Sequence, residues 1–244
     1  MNTTKTKDLR SHEDVLEAIA EAIDIPEHLE QVARERYQSI GNWLDRDAST
    51  IKQYDPEISP QGSFLLGTVI RPVGDADEYD IDLVCRLNAT KLDFSMAELK
   101  KVIGAEIVGY ARAHSMEKEP EDGRRCWTLE YADDANFHMD ILPSLPDEAT
   151  YRVLMEKSGN VALAADKGIR EQAIAITDKT HPKYNVRCDE WPVSNPKGYG
   201  IWFQSRQSEV VLARKRTIME KSLVYASVDD VPDYVVKTPL QRAI

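Results

Sequence analysis

Cysteine is scarce and scattered. Cys85, Cys126 and Cys188 are the three in 244 residues, with no C-x-x-C spacing among them. That indicates neither a disulfide framework nor a zinc site and points to a reducing compartment. Basic charge is in deficit: 31 Lys and Arg against 42 Asp and Glu leave a net charge of -11. A protein that grips nucleic acid through a general basic surface needs clustered Lys and Arg, so no DNA-binding surface is expected. Mononucleotides stay open, because a cation rather than the protein surface can neutralise their phosphates. Long apolar runs are missing as well. No stretch approaches the roughly 20 apolar residues of a membrane span, and the opening M-N-T-T-K-T-K-D-L-R has no apolar run behind its charges. The expected location is the cytoplasm, away from membranes. What is present, 42% hydrophobic residues, suffices for an ordinary buried core.

The informative stretch is Gln61 to Arg86, Q-G-S-F-L-L-G-T-V-I-R-P-V-G-D-A-D-E-Y-D-I-D-L-V-C-R. Its second half alternates as a strand does, which puts Asp80 and Asp82 on one face and Ile81, Leu83, Cys85 and Leu87 on the other. Two neighbouring carboxylates raise each other's pKa and are costly unless a cation lies between them, and an all-oxygen pair suits Mg²⁺. Upstream, Gly62 and Ser63 form a turn whose backbone N–H groups and hydroxyl can donate to phosphate oxygens. Gly62 to Thr68 comes within one residue of a Walker loop, but the lysine is missing, and Pro72 forbids the long helix such a loop opens.

A later acid completes the pattern. Alternation returns from Cys126 to Tyr131 and from Asn136 to Leu142, with the turn formers Asp133 to Asn136 between them, and predicts a hairpin. On its second strand His138, Asp140 and Leu142 share one face while Phe137, Met139 and Ile141 share the other, and Pro143 is expected to end the strand.

A glycine-serine turn, an acid pair and a strand acid in that order resemble the core of the DNA polymerase beta-like nucleotidyltransferases. The wording Q-G-S-F-L-L-G-T-V-I-R-P followed by D-E-Y-D-I-D-L-V is similar to the bacterial relatives of cyclic GMP-AMP synthase, which make cyclic oligonucleotide signals in antiphage defence. The resemblance implies an α+β fold: a palm sheet flanked by helices, a long N-terminal bracing helix and the start of a helical second lobe. It implies Asp80, Asp82 and Asp140 as catalytic residues and ligands of Mg²⁺, and Gln61, Gly62 and Ser63 as nucleotide-binding residues. The S-N-P-K-G-Y-G-I-W-F stretch resembles a family segment between the third acid and the second lobe, where Lys197 and Tyr199 are candidates to touch phosphate or base, against a surface turn. Implied partners are nucleoside triphosphates, with ATP preferred, and a regulatory or effector protein.

Around this centre, Ser11 and Asp14 form a capping-box pattern before Val15, Leu16, Ile19 and Ile23, which predicts a short packed helix. Pro26 opens a second helix with the stripe Leu29, Val32, Ala33, Tyr37, Ile40 and Leu44. A third, Met96 to Ser115, is expected to cover the back of the sheet. Residues 147–196 show weak periodicity and receive no assignment. Arg206, Arg214, Lys215 and Arg216 read as a solvated basic helix face. Thr238-Pro239 is a helix start with few residues behind it, so the chain is expected to be a piece of a longer protein. The expected division is 1–50 N-terminal helices, 51–205 catalytic core and 206–244 the start of the second lobe. Two rival functions stay open: a linear nucleotidyltransferase acting on RNA or protein, and a nucleotide-binding module inactive as this piece.

Overall fold

A computed structural model describes residues 11–71, 79–131 and 137–206. The helices are α1 (His12–Ile23), α2 (Glu27–Asp45), α3 (Gly62–Leu66), α4 (Met96–Ala113), α5 (Glu148–Lys157), α6 (Val161–Ala165), α7 (Lys167–Arg170) and α8 (Pro196–Ser205). The strands are β1 (Glu57–Pro60), β2 (Tyr79–Arg86), β3 (Glu121–Asp122), β4 (Trp127–Tyr131), β5 (Phe137–Pro146), β6 (Ile174–Ile176) and β7 (Val193–Ser194). Together they form one mixed sheet in the order β1-β2-β5-β4-β3, with β6 on β5 and β7 on β6. Only β2 and β5 run parallel. A parallel pair needs a long crossover, here supplied by α4 and the β3–β4 hairpin. The crossover helix starts sharply, because Ser95 and Glu98 cap it reciprocally in a full capping box.

The alternation in β2 and β5 decides where the core lies. Ile81, Leu83, Met139 and Ile141 are each at most 1% exposed and meet Leu99, Ile103 and Ile107 of α4 in one cluster. Fully burying such a side chain contributes roughly 1.5–3 kcal/mol, so this face sets the register. Helix α2 closes the layer with Ala33, Tyr37, Ile40 and Leu44. It is fastened by Tyr37 Oη donating to the Ile58 carbonyl at 2.9 Å and Trp43 Nε1 donating to the Glu106 carbonyl at 2.9 Å. The sequence stripe of α2 and the expected role of α4 both match.

Three expectations are corrected. Pro143 does not end its strand: β5 continues to Pro146. A residue's N–H and C=O point to the same side of a strand, and the Pro143 carbonyl accepts from Thr177 N. Its missing N–H therefore faces the changeover where β4 stops pairing at Ile141 and β6 starts at Ser144, so no ladder bond is lost. Helix α1 forms with Ser11 and Asp14 bonded as read, but its stripe is not packed among the described residues. Val15, Leu16, Ile19 and Ile23 are 39, 67, 53 and 42% exposed, the helix being tied near its end by Arg71 N donating to the Ile23 carbonyl and an Asp24–Ile70 bridge. The Lys197 region is a helix rather than a surface turn: Asn195 accepts from Gly198 N, and Pro196 occupies the first turn. Residues 147–196 hold α5 to α7, β6 and β7, none of which was anticipated. The turn at Asp133 to Asn136, Pro72, the basic residues 214–216 and Thr238-Pro239 lie outside the described residues.

Candidate active site

The parallel register between β2 and β5 builds the site. Asp80 stands opposite His138, and Asp82 opposite Asp140. On the other flank of β5, Thr128 of β4 stands opposite Asp140. Because directly paired residues project to the same face, all five side chains rise from the side away from α4. Each of Asp80, Asp82 and Asp140 offers an oxygen lying within 4.8 Å of the others. His138 Nε2 is 3.2 Å from Asp80 Oδ1, and the Thr128 hydroxyl donates to Asp140 Oδ1.

Electrostatics follow from that crowding. Burial, then the charges of Asp80 and Asp140, push the Asp82 carboxyl up to about 6. Burial also raises Asp80, with His138 opposing and Asp140 adding. Three carboxylates drawn together in this way, with an all-oxygen donor set, fit a hard divalent cation, which would relieve the mutual repulsion. Beyond the acids, on the same face, Val84 and Leu142 pack with Ile174, Ile176 and Cys126, so the acids end against an apolar ledge.

The glycine-serine segment is brought to the acids. Gln61 N donates to the Asp82 carbonyl at 2.9 Å, and Gly62 opens α3 with φ +60°. A Cβ at Gly62 would collide with Asp82 Oδ2, so glycine is needed both for the left-handed backbone and for the approach of loop to carboxylate. The amides of Gly62 and Ser63 belong to the first turn and have no carbonyl four residues back within the helix.

Lys197 is paired with an acid of β1. Its Nζ sits 2.8 Å from Glu57 Oε1, and Glu57 also pairs with Arg86. Burial works to raise the Glu57 carboxyl, yet Lys197 and Arg86 outweigh it and leave it below the ordinary value. Arg86 is four residues along β2 from Asp82, about 13 Å at strand spacing. Lys197 lines a cavity of ≈ 210 Å³ with Ser59, Pro60, Leu65, Gly200, Ile201 and Gln204. Thr128 was missed as a site residue, because its place beside Asp140 depends on the hairpin register, which alternation alone does not set.

Comparison with known proteins bears on this geometry. The family described as "Cyclic GMP-AMP synthase DncV-like, nucleotidyltransferase domain" matches residues 56–143, from the start of β1 to Pro143. A c-di-GMP synthase of Roseivirga ehrenbergii is 28% identical over 232 residues, 95% of this chain and 52% of that protein. The cyclic dinucleotide synthase CdnG of Bradyrhizobium diazoefficiens is 26% identical over 231 residues, 93% of this chain and 48% of that protein. The chain thus spans about half the length of the curated relatives it matches. Among solved structures, B. diazoefficiens CdnG in complex with GTP superposes with a TM-score of 0.61 at 22% identity, covering 97% of this chain and 63% of that one. The E. coli MS115-1 CdnC:HORMA-deltaN complex gives 0.52 at 13%, covering 89% of this chain and 61% of that one. These likenesses establish the fold, a mixed sheet flanked by helices, and residues 56–143 match the DncV-like nucleotidyltransferase domain.

Proposed function

From the match of residues 56–143 to a DncV-like nucleotidyltransferase domain, we propose that this chain is the catalytic part of an enzyme that joins ribonucleoside triphosphates into a cyclic oligonucleotide signal. The observation that carries the reading is the convergence of Asp80, Asp82 and Asp140 on one face, with Gly62 pressed against Asp82. The relatives named for cyclic dinucleotide synthesis support the product class. Residues 1–50 would brace the core, 51–205 form it, and 206–244 begin a second lobe.

In this mechanism a ribose hydroxyl attacks the α-phosphorus, the bond to the β-phosphate breaks and pyrophosphate leaves. Asp80, Asp82 and Asp140 would hold Mg²⁺, which when bound supplies charge neutralisation and favours the ionised hydroxyl. Gly62 and Ser63 would hold the β- and γ-phosphates through their amides and the Ser63 hydroxyl, with Gln61 fixing the turn to β2. The residues contribute chiefly position and charge. ATP is the preferred donor in this proposal, the cytoplasm its location and antiphage signalling its context. No described helix is long and apolar enough to cross a membrane. A HORMA protein in complex with one structural relative supports including a regulatory partner.

The test is made in the whole protein. Asp80→Ala with Asp82→Ala should abolish incorporation of labelled nucleotide while the circular-dichroism spectrum stays unchanged; retained turnover defeats the mechanism. Mass spectrometry of products from the four ribonucleotides with Mg²⁺ separates a cyclic product from the linear product of a tRNA- or protein-modifying enzyme.

A further inference from the structure

Asp140 is the middle member of a three-strand row, and its two neighbours differ in kind. On β2 it faces Asp82, a like charge; on β4 it faces Thr128, a hydrogen-bond donor. The Thr128 hydroxyl donates to Asp140 Oδ1 and makes no other side-chain hydrogen bond among the described residues. The Asp140 carboxylate has no second protein donor there either. A β-branched side chain is stiff about χ1, so a threonine in a strand aims its hydroxyl with little freedom. An aspartate between a carboxylate and nothing would swing away from the like charge. One held at Oδ1 from the opposite flank keeps its plane fixed while its carboxylate still offers an oxygen to the shared space.

We propose that Thr128 is a positioning residue of the acid site, orienting Asp140 so that the three carboxylates present one preformed set of oxygens to a divalent cation. The inference rests on the metal-binding reading above and adds to it a fourth residue, contributed by a different strand. Partners that orient ligating carboxylates through their spare lone pairs change metal affinity by about 10–100-fold when removed. Thr128 bonds a single carboxylate of three, so its effect belongs at the lower end.

The experiment uses the 244-residue chain at pH 8 and Mn²⁺ as probe, free ion being counted by electron paramagnetic resonance, with thermal midpoints recorded in parallel. Thr128→Val keeps the shape and loses the donor, Thr128→Ala is a second donor-less variant, and Thr128→Ser keeps the donor. Loss of Mn²⁺ affinity by about 10-fold in Val and Ala, with Ser within about 2-fold of the unsubstituted chain and midpoints alike, is the expected result. Unchanged affinity in Val and Ala, or weakening in Ser equal to theirs, overturns the positioning role. Asp80→Asn separates the two layers of argument. If it abolishes Mn²⁺ binding while Thr128→Val leaves it intact, only the role of Thr128 falls. If the unsubstituted chain binds no Mn²⁺, the metal site and the inference fall together.

Discussion

Two acidic sites beside the same sheet, the Asp80–Asp82–Asp140 group and the single Asp178, have opposite electrostatics. Asp178, following β6, is 3% exposed and fully engaged. It accepts from Arg124 Nε at 2.8 Å and Nη2 at 2.7 Å, from Arg125 Nε at 3.0 Å, and from the amide and hydroxyl of Thr180. Arg124 leads the groups that hold its carboxyl well below the usual range. Asp82 has no cationic partner in contact among the described residues and two like charges beside it, and its carboxyl is pushed up. One aspartate is satisfied by the protein; the other meets no counter-charge in contact among the described residues. The difference separates a structural clamp from a binding site more sharply than the count of acids does, since perturbation toward the neutral form marks a group awaiting a counter-charge.

The comparison breaks most visibly at the clamp. Asp178→Ala is expected to cost about 3 kcal/mol in urea unfolding at pH 7, the low end for removing one partner of a buried ion pair because both arginines reach water. That contribution is present above the ordinary carboxylate pKa and is lost as pH falls through the depressed folded value, so the variant and the unsubstituted chain should converge in acid. A difference that persists unchanged into strong acid contradicts the electrostatic account.

A smaller effect belongs to the loop that approaches Asp82. Gly62→Ala should cost about 1–2 kcal/mol from the left-handed backbone alone, plus the collision with Asp82 Oδ2. Gly159→Ala isolates the first part, because Gly159 has φ +78° and nothing within 4 Å of its Cβ position. Equal losses in the two variants would show that loop and acid are not in contact.

The smallest effect has the reverse sign. With its folded pKa raised to about 6, Asp82 keeps in the folded state a proton that the unfolded chain has released. The metal-free protein therefore loses stability as pH rises from about 4 to about 6, and the penalty is complete above that. Asp82→Asn removes it. The thermal midpoint should rise by about 3 °C at pH 8 and not at pH 4, and Mg²⁺ should stabilise the unsubstituted chain more than the variant. A lower midpoint at pH 8 without metal would place Asp82 with Asp178 among the satisfied acids.

Most of what positions the site was legible in the sequence, and the reasons are physical. Period-two alternation is a local property, so the faces of Asp80, Asp82 and Asp140 could be read without knowing the fold. The stripe of α2 was legible because it recurs over five turns. Residues 147–196 were not, because β6 is three residues buried throughout, α7 is four residues, and α5 buries only Tyr151. β6 and α7 are too short for a period to emerge, and α5 has no buried stripe to show one. At α8 the signal existed: Asn195-Pro196 is the same cap-and-proline start recognised at Thr238-Pro239. Two glycines masked it. Gly198 lies against the Asn195 cap and Gly200 against Leu65 of α3, so both serve close packing inside a helix they disfavour intrinsically. Pro143 misled for the converse reason, since the cost of proline in a strand depends on which neighbour its nitrogen faces.

The parallel pairing of β2 with β5 has a consequence for assembly. Asp82 and Asp140 are 58 positions apart in sequence and meet only when those two strands align, whereas their helices and hairpins can form from nearby residues. A slip of one residue in that alignment would turn an aspartate toward Ile103 and Leu99 and bury it unpaired. On the proposed function, capture of a divalent ion therefore requires the long crossover to be in place, and loss of ion capture should be an early sign that it has come loose.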